Sequence, residues 1–125
     1  MYSRRNEPFR YEFNEFLKGR FEIINIDGQE IESHTGPVDV IDLSYNGAKL
    51  VTNLNLMNEN RDIVIMLHFK ISKEDFSIPG SIVYKEAKAS GEFLYGVHLN
   101  TSKEIKNRLT QELKDYAWKQ VKEKE

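Results

Sequence analysis

Cysteine is absent from the 125-residue chain, which excludes disulfides, thiolate metal centres and cysteine nucleophiles together. Long apolar runs are absent too: no stretch approaches the roughly 18 apolar residues that a membrane-spanning helix requires. The opening residues MYSRRNEPFRYEF carry early positive charge with no apolar run behind it, so they do not read as a secretory leader. A basic surplus is also missing. The net charge of −2 argues against general adhesion to nucleic acid or anionic membrane, because both partners reward an excess of positive charge. A cytoplasmic protein is the default expectation.

What is present suits one folded domain. Hydrophobic residues make up 39% and aromatics 11%, too much for disorder, while 30% charged residues supply a solvated surface. A chain of this length buries well over half of the surface its unfolded form exposes, so one core is expected. Charge is unevenly placed. Residues 1–10 hold Arg4, Arg5 and Arg10 against Glu7, an excess of two positive charges that leaves the rest of the chain at −4. The basic residues there are all arginine, the side chain suited to planar or forked anions.

Residues 1–12 show no apolar periodicity and contain Pro8, so they read as an arm, with a domain over 13–125. From Phe16 to Ile26 the chain is aromatic and β-branched and meets Asp27-Gly28, a two-residue hairpin signal, with a return strand from Gln29. His34-Thr35-Gly36-Pro37 is expected to break that strand. Strand-like runs follow over 38–44, 48–56, 62–72, 76–89 and 92–99, separated by turn residues such as Tyr45-Asn46-Gly47. The count is about six strands. Beyond Asn100 the pattern turns helical: Thr101 and Glu104 match a capping box, and Ile105, Leu109, Leu113, Tyr116, Ala117 and Val121 recur at helical steps. Trp118 lies off that stripe, placed either to cover a barrel end or to stand exposed. The expected architecture is a β-rich, six-stranded antiparallel barrel with a C-terminal amphipathic helix.

Catalytic constellations are hard to find. No nucleophile elbow surrounds Ser44, no phosphate-loop lysine motif occurs, and His34, His68 and His98 lie in separate segments without metal-ligand spacing. The phenylalanines Phe13, Phe16, Phe21, Phe69, Phe76 and Phe93 read as core. No resident cofactor or metal is expected, and the chain does not read as an enzyme.

Two segments stand together: the arm Arg4-Arg5-Asn6-Glu7-Pro8-Phe9-Arg10 and the strand-to-turn motif Asp42-Leu43-Ser44-Tyr45-Asn46-Gly47. With Tyr95-Gly96-Val97-His98-Leu99 downstream, the order resembles the PilZ family. Members carry an Arg-x-x-x-Arg arm, an Asp/Asn-x-Ser-x-x-Gly motif and a closing hydrophobic-Gly-hydrophobic strand on a barrel that usually ends in a helix. The arm departs from the pattern, since four residues separate Arg5 from Arg10 and five separate Arg4 from Arg10.

The resemblance implies a bacterial receptor for the second messenger cyclic di-GMP, with Arg4, Arg5, Arg10, Asp42, Ser44 and Gly47 as ligand-binding residues and a protein partner downstream. Arginine matches both a phosphate and the O6/N7 edge of guanine. Asp42 accepts from the guanine N1 and N2 donors, Ser44 donates to an oxygen, and Gly47 supplies positive φ or room for close approach. Binding would close the arm over the barrel. The irregular arm keeps a second reading open, an adaptor that has lost nucleotide binding and acts through protein contacts. Nucleic-acid binding on a small barrel is a third reading, opposed by the acidity.

Overall fold

Burial with a period of two shapes the molecule. In β5 (Ile63–Ile71) every second side chain, Ile63, Ile65, Leu67, Phe69 and Ile71, turns inward, as expected of a strand with one face on a core. The computed structural model describes residues 8–31, 35–56 and 61–123. Around β5 run β1 (Tyr11–Ile26), β3 (Thr35–Ser44), β4 (Gly47–Thr52), β6 (Glu74–Ala87) and β7 (Phe93–Leu99), with the short β2 (Gln29–Glu30) and one helix, α1 (Lys103–Glu123).

The sheet order is β2-β1-β3-β4-β7-β6-β5, and β1 also pairs with β5. That last pairing closes six antiparallel strands into a barrel, which abolishes the free edges an open sheet would present. β2 is an appendage on the end of β1. Asp27 (φ 52°) and Gly28 (φ 86°) both sit in the left-handed region, the geometry a two-residue hairpin between twisted strands requires.

Local signals placed three boundaries differently from the folded chain. β1 starts at Tyr11, not Phe16, and its first residues pair with the end of β3: Tyr11 opposite Leu43 and Glu12 opposite Asp42. β3 starts at Thr35, not Val38: Gly36 and Pro37 pair with Phe21 and Arg20 of β1, while the β3–β4 register begins only at Asp39, and a strand end tolerates the missing N–H. The helix cap is Ser102, whose Oγ accepts from the Ile105 N–H (3.2 Å), whereas Thr101 donates to the Tyr45 carbonyl (3.0 Å).

α1 lies over the barrel end that carries the β3–β4 and β5–β6 turns and the start of β1. Leu109 and Leu113 are fully buried in the common core, and Tyr116 meets Tyr11 and Phe13 edge-on. Arg108 fixes the other side, donating to the Asp75 carbonyl, pairing with Glu74 and stacking on Phe76. The apolar stripe read from the sequence thus works through Tyr116, while Val121 and Trp118 are solvent-facing. Phe16 likewise departs from its expected core role and is exposed, whereas Phe13, Phe21, Phe69 and Phe76 are buried.

Candidate functional site

A β-bulge creates the site. Along β3 the inward residues are Val38 and Val40, so strict alternation would send Asp42 into the core. The β3–β4 register shifts between Val40 and Asp42, and the extra residue, Ile41, reverses the faces. Leu43 joins the core instead, and Asp42 and Ser44 point outward. Cross-strand pairing extends both positions into rows on the barrel exterior. One row runs Ser44, Gly47, His98, Ser81; the next runs Asp42, Lys49, Gly96, Tyr84.

Arg10 lies across these rows. Its guanidinium donates to Asp42 Oδ1 at 2.5 Å, and Lys49 Nζ stands 3.9 Å from Oδ2 of the same carboxylate. Those two cations leave the Asp42 side chain only 3% exposed although it faces outward. A carboxylate so shielded from water needs such partners, because desolvation penalises its charge. Ser44, fully buried, places its hydroxyl 2.9 Å from Asn46 Oδ1 and 3.4 Å from the Gly47 carbonyl. A Cβ added at Gly47 would fall 3.0 Å from an Arg10 guanidinium nitrogen and 3.4 Å from the Val97 carbonyl. The guanidinium therefore rests on bare backbone.

Beside it opens a depression of about 430 Å³, lined by Arg10, Asn46, Gly47, Ala48, Lys49, Val83, Gly96, Val97 and His98. Its walls bring the cations Arg10 and Lys49 to one surface beside His98, a cationic setting for a phosphate-bearing or carboxylate ligand.

A family model described as the PilZ domain matches residues 4–115. The chain belongs to the PilZ domain family. No curated protein matches the sequence. PilZ domains form a family of the cyclic di-GMP-binding type, and they are binding and adaptor modules. No helix among the described residues is long and apolar enough to cross a membrane.

Within this PilZ domain, Arg10, Asp42, Ser44 and Gly47 meet on one patch, while Arg4 and Arg5 lie outside the described residues. Gly47 departs from one expected role: its φ is not in the left-handed region, so its contribution is close approach alone. Of the histidines, His34 lies outside the described residues. His68 is held between Ser77 Oγ (2.7 Å) and Glu22 Oε1 (2.8 Å) in a cross-strand ladder on another part of the barrel. His98, read from the sequence as an isolated strand residue, lines the depression.

Lys49 and Val83 were also missed by sequence reasoning. Lys49 follows the motif by two residues, but its sharing of Asp42 depends on the β3–β4 register, which has no local sequence signal.

Proposed function

We propose that this PilZ domain is a receptor for cyclic di-GMP. The observation that carries the reading is the meeting of Arg10 with the Asp42-x-Ser44-x-x-Gly47 motif on one outward patch, beside a cationic depression. The Arg10–Asp42 pair acts as a placeholder on this reading. A guanine offers N1 and N2 donors to Asp42, which frees the guanidinium to turn to a phosphate or to the O6/N7 edge of a base. The exchange keeps Asp42 satisfied at each stage, so no bare buried carboxylate is formed.

Closure of the arm then has a route outward. Phe9, next to Arg10, lies beneath Lys114 of α1 (5.9 Å), and Tyr11 touches Tyr116 (5.6 Å between ring centres). Moving Arg10 disturbs both contacts and presents a changed helix surface to a protein partner. A cytoplasmic bacterial setting fits this role.

Titration calorimetry with cyclic di-GMP is the direct test. The wild type gives saturable heat, and Arg10→Ala or Asp42→Ala removes it with the fold retained by circular dichroism. Absence of heat from the wild type at high micromolar ligand overturns the reading. The internal satisfaction of Arg10 by Asp42 favours a second reading, an adaptor without nucleotide that works through protein contacts, for which exposed Trp118 and Val121 on α1 are available. In that case Arg10→Ala leaves cellular activity intact.

A further inference from the structure

The cross-strand ladder on β1, β5 and β6 is built around one imidazole. Arg20 stands opposite His68 and His68 opposite Ser77, with Glu22 two residues beyond Arg20 on the same exterior face of β1. His68 Nε2 lies 2.8 Å from Glu22 Oε1, and its Nδ1 lies 2.7 Å from Ser77 Oγ. A carboxylate only accepts, so Nε2 carries the hydrogen; in the neutral ring Nδ1 is then the acceptor, and Ser77 donates to it. The serine proton therefore points at a base whose tautomer a carboxylate fixes. Nucleophile, base and orienting group within hydrogen-bond reach of one another are the elements that activate a serine. Residues 22, 68 and 77 belong to three strands, so only the register brings them together.

A ladder that serves stability alone needs no open space beside it. This one borders a depression of about 430 Å³, with Ser77, His68, Arg20 and Lys70 in its walls. Arg20 and Lys70 make no hydrogen bond or ion pair with any described residue, although Asp75 stands opposite Lys70 in the register. Lys18, the third cation of the wall, is held by Asp39 (2.9 Å). The exposed Ser77 thus opens on a space where two uncommitted cations can meet a negative charge that develops during reaction.

We propose that Ser77 is an activated nucleophile that cleaves small esters carrying an anionic group, an activity independent of the nucleotide reading. Its Oγ bonds to the ester carbonyl carbon as its proton passes to His68 Nδ1. Glu22 steadies the imidazolium, and the charge on the carbonyl oxygen faces Arg20. The bond from carbon to the leaving oxygen then breaks, and His68 returns the proton to that oxygen. Water attacks the acyl ester of Ser77, with His68 again taking the proton, which releases the acid and restores the hydroxyl. Ser77 and His68 are the catalytic residues, and Glu22 is a positioning residue that acts through His68.

The full chain is tested with p-nitrophenyl acetate and with the anionic ester acetylsalicylate, by release of the phenol and by mass spectrometry of the protein. Arg20, Glu22, His68 and Ser77 are exposed or partly buried, so their variants keep the fold, which a melting curve verifies. Ser77→Ala and His68→Gln each reduce phenol release to the rate in buffer. The wild type carries an acetyl group on Ser77 that hydroxylamine removes, unlike an acetyl-lysine amide. Glu22→Gln lowers kcat at least about tenfold and leaves KM unchanged. Arg20→Ala raises KM for acetylsalicylate about fivefold and that for p-nitrophenyl acetate less than about twofold, the size of an exposed charge contact. Release that survives Ser77→Ala, or acetylation confined to lysines, overturns the inference. An Arg20→Ala change of equal size on both esters overturns the preference for anions.

Discussion

A glycine is informative when the atom that a Cβ would meet is known. At Gly47 that atom is the far end of the Arg10 side chain, 3.0 Å away, which can swing aside; at Gly80 the obstacles are Val97 Cγ1 at 2.7 Å and the His98 backbone carbonyl at 2.8 Å, which cannot. Gly47→Ala is therefore expected to cost under about 1 kcal/mol of stability while displacing Arg10 from Asp42 and abolishing ligand heat. Gly80→Ala, by contrast, is expected to cost about 1–3 kcal/mol through overpacking. Urea unfolding of both variants beside calorimetry separates the two effects. Arg10→Ala strips the shielded Asp42 of its nearest cation, with Lys49 left at 3.9 Å. A loss of about 1–2 kcal/mol is expected, reduced from the fully buried case because the arginine is 42% exposed. Arg10→Ala and Asp42→Ala combined should unfold at higher urea than the sum of the two single losses implies, since the second change removes the orphaned charge.

Among elements, legibility followed locality. The Asp27-Gly28 hairpin was readable because both positive φ values belong to two adjacent residues of the right type. β5 was readable as a strand because residues 63–69 are almost all apolar or β-branched, although the apolar Val64 and Met66 between the inward residues hide which face is buried. The bulge at Ile41 was not, because a bulge is a two-against-one pairing, and nothing within 38–44 states what β4 contributes opposite it. This gap mattered for the site: the motif residues could be named from the sequence, but their outward facing and the company of Lys49, His98 and Tyr84 arise only from strand register. The helix start was missed narrowly because Thr101 and Ser102 are both competent caps, and only the geometry shows which one the Ile105 N–H reaches. Ser102→Ala is expected to cost about 1 kcal/mol. Leu113→Ala, at a side chain with no exposure, is expected to cost about 2–5 kcal/mol, because the helix seals the barrel end there. A chemical denaturation series reads both, and a Leu113→Ala cost near that of the cap variant would contradict the packing described for α1.

At the scale of the whole molecule the arm, the barrel patch and α1 form one connected path, since three consecutive residues, Phe9, Arg10 and Tyr11, touch Lys114, Asp42 and Tyr116. The chain contains a single tryptophan, Trp118, one half-turn beyond Tyr116 and 62% exposed, with Lys122 above its ring (5.8 Å). Its emission is therefore a reporter placed on the helix surface and away from the site. If ligand releases Arg10 from Asp42, the two flanking contacts with α1 shift, and the Trp118 environment shifts with them. Addition of cyclic di-GMP is expected to change the intensity or wavelength of that emission along the same saturation curve as the calorimetric heat. Tyr116→Ala should retain binding and lose most of the optical change, because it removes the ring that couples Tyr11 to the helix. Ligand at a hundredfold excess over its dissociation constant adds about 2.7 kcal/mol, a rise in melting temperature on the order of 10 °C for a domain of this size. Stabilisation without any change in Trp118 emission would mean that the ligand is held by the barrel alone and that α1 takes no part in the response.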